Sequence, residues 1–275
     1  MARVLPGSPA PLGMTLTERG AECAVHSQYA TRIEVCLFDD AGEREVARIP
    51  LLDRVGSVFH GTIDGVTSGT RYGLRAHGPW APNEGHRFNP TKLLVDPYAR
   101  ALDRPFTLHA SQRGQLPDGT RDESDSAAHV PKAIVLPARD AWLRGYETAR
   151  GRRATAGRRP SHAWSDSVIY EMHLRGFTRQ HPDVPAHLRG TAAGLAHPAA
   201  IEHLVRLGVT AVELLPVAAA IDEGHLAKAG LVNYWGYNTI GWMVPDARLV
   251  PDGIGELREC VTALHEAGIE VLLDV

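Results

Sequence analysis

The chain has 275 residues, of which 29 are Lys or Arg and 32 are Asp or Glu, so its formal net charge is −3 with every histidine neutral. This balance argues against a protein that binds nucleic acid through a basic surface, and a hydrophobic content of 44% argues against global disorder. The 27 glycines and 19 prolines predict many turns and long loops, which excludes a simple helical bundle.

The sequence shows no membrane or secretion signal. No stretch reaches the roughly 18 to 20 consecutive apolar residues of a membrane-spanning helix. The start, MARVLPGSPAPLG, has Pro and Gly where a signal peptide has an apolar core. Cys23, Cys36 and Cys260 lie far apart without CxxC spacing, which predicts reduced thiols in the core. Because membrane and signal segments are absent, we expect a cytoplasmic protein. The histidines show no ligand spacing, so we expect no metal site and no cofactor.

The first third of the chain is predicted to form a small β-sandwich. Short runs that mix β-branched or apolar residues with polar ones alternate with turn-forming residues, as is typical of such domains. These runs cover residues 22–27, 32–39, 44–51, 57–64 and 71–77. From Asn89 to about Leu136 the pattern is irregular and has no helical period. We therefore expect an N-terminal domain over residues 1–138, consisting of the sandwich and an extension.

Residues 139–165 are predicted to be a linker. This segment contains ARGRRATAGRRP, which is rich in Arg and Gly and almost free of apolar residues. The arginines could instead form a phosphate or nucleic-acid patch, but no aromatic residues are interleaved with them and the chain as a whole is acidic. A solvated linker is the preferred interpretation.

Residues 166–275 have the rhythm of a parallel α/β structure. Strand-like runs cover Val168–Leu174, Val209–Leu215 and Ile269–Val275. Helical spacing precedes the second and the third run, in Pro198–Leu207 and Gly255–Ala267, and a glycine follows each of these helices. The pattern predicts two right-handed βαβ units. Because a third parallel strand requires a neighbour, we expect the chain to be the front part of a longer protein.

The segment from Val217 to Val250 is far longer than an ordinary loop after a strand, and long loops in compact domains are often functional. It contains Asn233–Asn238 (NYWGYN), with three aromatic residues in four positions. Aromatic rings beside amides suit a sugar, whose C–H faces stack on the ring while its hydroxyl groups bond to the amides. The aromatic residues could equally serve to hold the loop itself in place.

Several ordered motifs resemble the bacterial glycogen debranching enzymes, which form part of the isoamylase branch of the α-amylase superfamily. In the second half these motifs are VIYEMHL (168–174), VELLP (212–216), NYWGYN (233–238) and IEVLLDV (269–275), with Gly190-Thr191 and LAHP (195–198). In the first half they are HGPW (77–80), NPTKLL (89–94) and DPYA (96–99). The resemblance spans nearly the whole chain.

This resemblance implies a glycogen-binding-type β-sandwich followed by a (β/α)₈ barrel that hydrolyses α-1,6 branch linkages with retention. Residues 166–275 would then be an incomplete barrel with about its first three strands. The family's nucleophile and acid/base lie at later strands, beyond Val275. The chain alone is therefore expected to contain no catalytic carboxylate and to be inactive.

The resemblance also implies roles for residues of the long loop. Tyr237 matches the family tyrosine that stacks under the sugar at the cleaved bond, and Asp274 matches the aspartate that opens the motif after strand three. Tyr234, Trp235 and Asn238 match the surrounding pattern and would shape the sugar pocket. Asp274 could instead only orient its neighbours. The expected partner is an α-glucan such as glycogen or limit dextrin, with no nucleic acid or membrane involved.

Other interpretations remain open. The chain could be a non-catalytic α-glucan-binding module that uses its sandwich and Trp80. It could also be part of another α-amylase-type enzyme, such as a branching enzyme or a trehalose-releasing hydrolase. Glu171 and Glu213, inside the first two predicted parallel strands, resemble a carboxylate pair, but buried and hydrogen-bonded structural carboxylates are the preferred interpretation.

Overall fold

A computed structural model describes residues 3–137 and 159–275. These residues divide into two compact units. The first contains residues 3–137, 221–232 and 240–243, and the second contains residues 159–220, 233–239 and 244–275. Of the predicted linker, residues 139–158 lie outside the described residues. Its described end contains a single 3₁₀ turn at Trp164–Asp166.

Within the described residues, the first unit is built from antiparallel sheets. In chain order its strands are β1 (Val4–Leu5), β2 (Gly13–Leu16), β3 (Gly20–His26), β4 (Arg32–Phe38), β5 (Glu45–Pro50), β6 (Asp53–Val55), β7 (Val58–Asp64), β8 (Arg71–His77), β9 (Trp80–Ala81), β10 (His86–Arg87) and β11 (Ala133–Ile134). One sheet has the order β1-β7-β3-β2, with β6 also paired to β7, and the other has the order β11-β8-β4-β5. Strands β9 and β10 form a hairpin. The five predicted strands are thus confirmed as β3, β4, β5, β7 and β8, with ends within two residues of the prediction, and the other strands of this unit were not predicted.

The segment after the hairpin, predicted to be irregular, covers one face of the β11-β8-β4-β5 sheet. Cys36 and Phe38 on β4 pack in a buried cluster with Leu93, Ala127 and Val130. This explains why β4 is buried at consecutive positions, since a strand covered on both faces loses the inside–outside alternation. We call residues 88–132 the covering segment. It contains a 3₁₀ turn at Ala110–Gln112, and β11 follows it as a short strand that the sequence pattern did not predict.

The second unit contains a parallel sheet. Its strands are β12 (Ile169–Met172), β13 (Ala211–Leu214) and β16 (Glu270–Leu273), in the order β12-β13-β16. Register pairs Met172 with Leu214 and Leu214 with Leu273. Two further strands, β14 (Ala218–Ala220) and β15 (Thr239–Pro245), belong to the long segment after β13. The parallel βαβ arrangement predicted from the sequence is therefore present, and closure into a barrel remains a prediction.

Five α-helices lie in the part of the chain that the structure describes. In chain order they are α1 (Leu174–Thr178), α2 (Ala192–Leu195), α3 (Pro198–Leu207), α4 (Gly224–Lys228), which falls in the first unit, and α5 (Ile254–Glu266). Leu204 of α3 and Leu264 of α5 are fully buried with Val212 and Leu214 of β13. Gly208 is the C-cap of α3, and Gly268 follows the C-cap residue of α5. Both glycines are in the left-handed conformation, as the sequence predicted.

A buried glutamate joins the starts of two helices in the second unit. The side chain of Glu256 in α5 accepts the backbone N–H of Ala193 at one oxygen and that of Asp252 at the other, each at 2.9 Å. Glu256 is only 3% exposed, so these donors have no access to water if the carboxylate is changed.

Replacing Glu256 with Gln should lower the free energy of unfolding by about 1–2 kcal/mol, because the amide group leaves one buried N–H without an acceptor. Glu266→Gln on the exposed end of the same helix is the matched control and should change it by less than about 0.5 kcal/mol. Urea unfolding followed by circular dichroism measures both. Equal effects of the two changes would contradict this role of Glu256.

Two smaller sequence predictions have clear outcomes. Cys23, Cys36 and Cys260 are free and buried, as predicted, and burial raises the pKa of the Cys36 and Cys260 thiols to about 12. The run Val168–Leu174, the first predicted parallel strand, forms a shorter strand than predicted, because His173 caps a helix and Leu174 begins it. No helix in the described part of the chain is long and apolar enough to cross a membrane.

Candidate functional site

The NYWGYN loop, residues 233–238, forms a tight turn over the end of β13. The side chain of Asn233 accepts the backbone N–H of Gly236 at 2.9 Å, which closes the turn. Gly236 has φ +84°, and a Cβ at this position would lie 3.1 Å from the carbonyl oxygen of Pro216, the second residue after β13. Only glycine fits both the backbone angle and this close approach. The turn therefore holds the loop directly against the end of β13.

Tyr237, the next residue, is anchored by the end of β16. Its hydroxyl group donates a hydrogen bond to the carboxylate of Asp274, which follows that strand. This bond, together with the negative charges of Asp274, Glu171 and Glu213, raises the pKa of Tyr237 to about 12. The backbone N–H of Asp274 in turn donates to Leu214 on β13 at 2.9 Å. The ring of Tyr237 is 55% exposed, so it is fixed at one end and open to solvent along the rest.

His173, the first residue after β12, holds the other end of the loop. Its ring stacks on that of Tyr234 with 3.9 Å between centroids and 12° between planes. Its Nε2 lies 2.6 Å from the backbone oxygen of Tyr234. Trp235 packs edge-on against Tyr234 at 5.4 Å, and both rings remain about half exposed. The loop thus contacts a residue that follows each strand of the parallel sheet: His173 after β12, Pro216 after β13 and Asp274 after β16.

The sequence-predicted site residues separate into two groups. Tyr234 and Trp235 contact each other, and Tyr237 is bonded to Asp274, so these four residues form two pairs within one loop and the strand end beside it. Asn238 is half-buried at the end of the loop, and the proposed role of its amide toward a sugar stays a prediction. His173 was not predicted as a site residue, although a histidine between a strand and a Gly-containing helix start is a recognisable signal.

The interpretation of Glu171 and Glu213 as buried structural carboxylates was wrong. The two residues are neighbours in register on β12 and β13, but Glu171 is exposed and Glu213 is half-buried. They project from the sheet face opposite Met172 and Leu214, which are buried against the helices. Residues on that open face keep access to water, and their charges reach Tyr237.

A cavity of about 580 Å³ lies elsewhere in the second unit. It is lined by the first residues of the three parallel strands, Ile169, Ala211 and Glu270, and by His162 and His265 among others. None of the loop residues lines this cavity, so it is separate from the aromatic loop. Within residues 3–137 and 159–275, no three His, Cys, Asp or Glu side chains form a cluster that could hold a metal ion.

Comparison with known proteins finds a family model that matches the first unit and relatives that are similar along the whole chain. Residues 11–99 match the family described as carbohydrate-binding module 48, the isoamylase N-terminal domain. Over the whole chain, the sequence is 47% identical to the glycogen debranching enzyme of Yersinia enterocolitica and 41% identical to that of Klebsiella pneumoniae. The chain spans 40% of the length of each of these relatives.

Solved structures share the fold at lower identity. The pullulanase of Bacillus acidopullulyticus matches with a TM-score of 0.69 at 19% identity, covering 96% of this chain and 29% of that protein. A pullulanase of Paenibacillus barengoltzii, solved with maltohexaose and α-cyclodextrin, matches with a TM-score of 0.65 at 23% identity, covering 96% of this chain and 37% of that one. These likenesses concern the fold alone.

Proposed function

We infer that this chain, a relative of the bacterial glycogen debranching enzymes along its whole length, binds α-glucan for the hydrolysis of α-1,6 branch linkages in glycogen or limit dextrin. Within that reaction we assign to it the holding of the sugar. The bond-breaking carboxylates, which a retaining mechanism needs about 5–5.5 Å apart across the sugar, we assign to none of its residues.

The observation that carries this proposal is the ring of Tyr237, anchored by Asp274 yet 55% exposed. A sugar presents one face of C–H groups, which stacks on a flat ring and is desolvated by it. A ring that is already fixed loses little conformational freedom when the sugar binds, so more of the stacking energy remains as affinity. Tyr234 and Trp235 extend the aromatic surface beside it, and Asn238 supplies an amide for sugar hydroxyl groups.

Asp274 acts in this proposal through Tyr237. Because its carboxylate accepts a hydrogen bond from the phenol hydroxyl group, the ring is held at one angle to the sheet edge. If the Asp274 carboxylate also accepts a hydrogen bond from a sugar hydroxyl group, the sugar is held against the Tyr237 ring and beside the end of β16. The neighbouring Glu171 and Glu213 add negative potential on the same side and favour a neutral, hydroxyl-rich ligand over an anionic one.

The chain is expected to bind maltohexaose saturably and to release no reducing ends from glycogen. Calorimetric titration with maltohexaose and a reducing-sugar assay on glycogen test the two statements on the same preparation. If the chain releases reducing ends from glycogen and the double variant Glu171→Gln, Glu213→Gln does not, the assignment of catalysis to residues outside this chain is overturned. Absence of any heat of binding would overturn the glucan-holding role.

A second candidate function rests on the first unit. The match of residues 11–99 to a carbohydrate-binding module favours glucan binding by that unit, independently of the aromatic loop. In that case the chain would act as a non-catalytic glucan-binding module. Maltohexaose binding that is unchanged by Tyr237→Ala would favour this candidate, whereas loss of binding in that variant favours the loop.

A further inference from the structure

We propose that His173 is a positioning residue of the sugar-binding loop, holding Tyr234 and Trp235 at the end of β12 through its Nε2 atom and its ring, while its Nδ1 atom caps α1. The inference rests on the proposed function and names a residue whose side chain contacts both aromatic rings of the first half of the loop. His173 is itself half-buried, and the rings that it orders are about half exposed.

Both ring nitrogens of His173 are occupied, and the geometry fixes which one carries the proton. Nδ1 lies 3.1 Å from the backbone N–H of Arg175 and 3.2 Å from that of Gly176, so it accepts and is unprotonated. Nε2 is therefore protonated in the neutral ring, and it donates to the backbone oxygen of Tyr234 at 2.6 Å. One imidazole thus joins the first turn of α1 to the backbone of the aromatic loop.

Ring stacking adds a second link between the same residues. The His173 and Tyr234 rings lie nearly parallel at 3.9 Å, which places the Tyr234 ring over the first turn of α1. A Cβ on Gly176 would come within 2.6 Å of the Tyr234 hydroxyl oxygen, so the loop occupies the space that a side chain in α1 would need. The contact is therefore a close fit of two segments that are 61 residues apart in the chain.

The consequence reaches Tyr237 through the short turn. Tyr234 and Trp235 lead directly into Gly236, whose backbone is fixed by Asn233 and Pro216, and then into Tyr237. Without the His173 bond, the first half of the turn loses its attachment to the sheet, and Trp235 loses the ring pair against which it packs. The rings would then have to be ordered when the ligand binds, and the entropy lost in ordering them would lower the affinity.

The role needs histidine in particular. Ser, Thr, Asp or Asn can cap α1, because a short side chain suffices to accept the free N–H groups of the first turn. None of them offers a ring to stack on Tyr234 or a donor that reaches its carbonyl group. His173→Asn therefore retains the cap and removes the attachment of the loop.

His197 provides the matched control. Its Nδ1 accepts the backbone N–H of Ala199 at 3.3 Å and caps α3 in the same manner, and it has no part in the loop network described above. His173→Asn and His197→Asn make the same chemical change at two helix starts. They differ in whether the aromatic loop is released.

The experiment compares the two variants in the 275-residue chain. We expect His173→Asn to weaken maltohexaose binding about tenfold with a melting temperature close to that of the original chain, and His197→Asn to leave binding unchanged. Acrylamide quenching of tryptophan fluorescence gives a second measurement without ligand. His173→Asn should increase the quenching, and the increase should vanish when Trp235 is also replaced by Phe.

The outcomes separate this inference from the proposed function. If the original chain and His173→Asn bind maltohexaose equally well, the inference is overturned and the glucan-holding role stays intact. If the original chain does not bind maltohexaose, the proposed function fails and the quenching decides the inference. Quenching that is the same in the original chain and in His173→Asn would overturn it, and an increase confined to chains with Trp235 would support it.

Discussion

Replacing Tyr237 with Ala should weaken maltohexaose binding by this chain at least about 30-fold. The change removes the ring that the loop presents to solvent, and with it the largest apolar surface that a bound sugar can cover at the end of β16. It also leaves Asp274 without the phenol that it orients. Isothermal titration calorimetry with maltohexaose measures the loss.

Tyr237→Phe separates the two parts of this effect. The phenylalanine ring keeps the stacking surface and loses only the hydrogen bond to Asp274, so we expect a loss of less than about tenfold. Tyr29→Ala in the first unit is the control, because Tyr29 is also 55% exposed. If Tyr29→Ala weakens binding as much as Tyr237→Ala, the sugar does not select the aromatic loop.

Arg75→Met should lower the free energy of unfolding by about 3 kcal/mol. Arg75 lies on β8 and is 1% exposed. One of its terminal nitrogens, Nη2, lies 2.8 Å from Glu45 on β5 and 2.9 Å from Asp125, while Nη1 donates to the carbonyl oxygen of Pro90 at 2.8 Å. Pro90 and Asp125 belong to the covering segment, so this side chain attaches that segment to the sheet.

Methionine retains much of the side-chain length but leaves both carboxylates without their shared cation. The Glu45 side chain is only 20% exposed, so its charge stays partly desolvated, and the carbonyl oxygen of Pro90 loses its donor; Asp125, which is 55% exposed, contributes less. Arg121→Met is the control. Arg121 pairs with Glu123 at 2.7 Å, but its side chain is 36% exposed and that of Glu123 is 61% exposed, and such solvent-accessible pairs contribute little. Thermal and urea unfolding should show a change of less than about 0.5 kcal/mol for Arg121→Met.

The pH dependence of the Arg75→Met effect has a definite sign. Burial raises the pKa of Glu45, but hydrogen bonds from Arg48 and Arg75 outweigh it and hold that pKa below its ordinary value of 4.5. The pKa of Asp125 is likewise below 3.8, because bonds from Ala127 and Arg75 outweigh burial. A carboxyl group with a lowered pKa in the folded state contributes stability above its unfolded pKa and loses it on acidification.

The difference between the original chain and Arg75→Met should therefore be full at pH 6 to 7 and shrink below about pH 4. Unfolding curves at several pH values measure it. A difference that stays constant down to pH 3 would show that Arg75 stabilises the unit by packing rather than by charge.

Much of the secondary structure could be predicted because it depends on neighbours in the chain. The strand Arg71–His77 and the helix Pro198–Leu207 have the predicted bounds. Alternation, helical spacing and the glycine after a helix act over a few residues, so they can be detected in sequence alone. The aromatic loop was also found in this way, by its composition and by its resemblance to a family.

Burial was harder to predict, as two cases show. The covering segment has no periodic pattern, yet it buries Leu93 and Val130 against β4, because a face of an antiparallel sheet can be covered by irregular chain as well as by strands. Glu171 was expected to be buried and is exposed. Alternation indicates on which face a residue lies, and what lies over that face is decided by parts of the chain far away.

By itself, the sequence indicated a resemblance to a family, the main strands and helices of both units, and the loop that presents Tyr237. Only the tertiary structure decided that Asp274 accepts the bond from Tyr237 and that His173 supports Tyr234. These partners are 37 and 61 residues apart in the chain. Their contacts form because parallel strands bring their carboxyl ends to one edge of a sheet, where residues separated in sequence become neighbours.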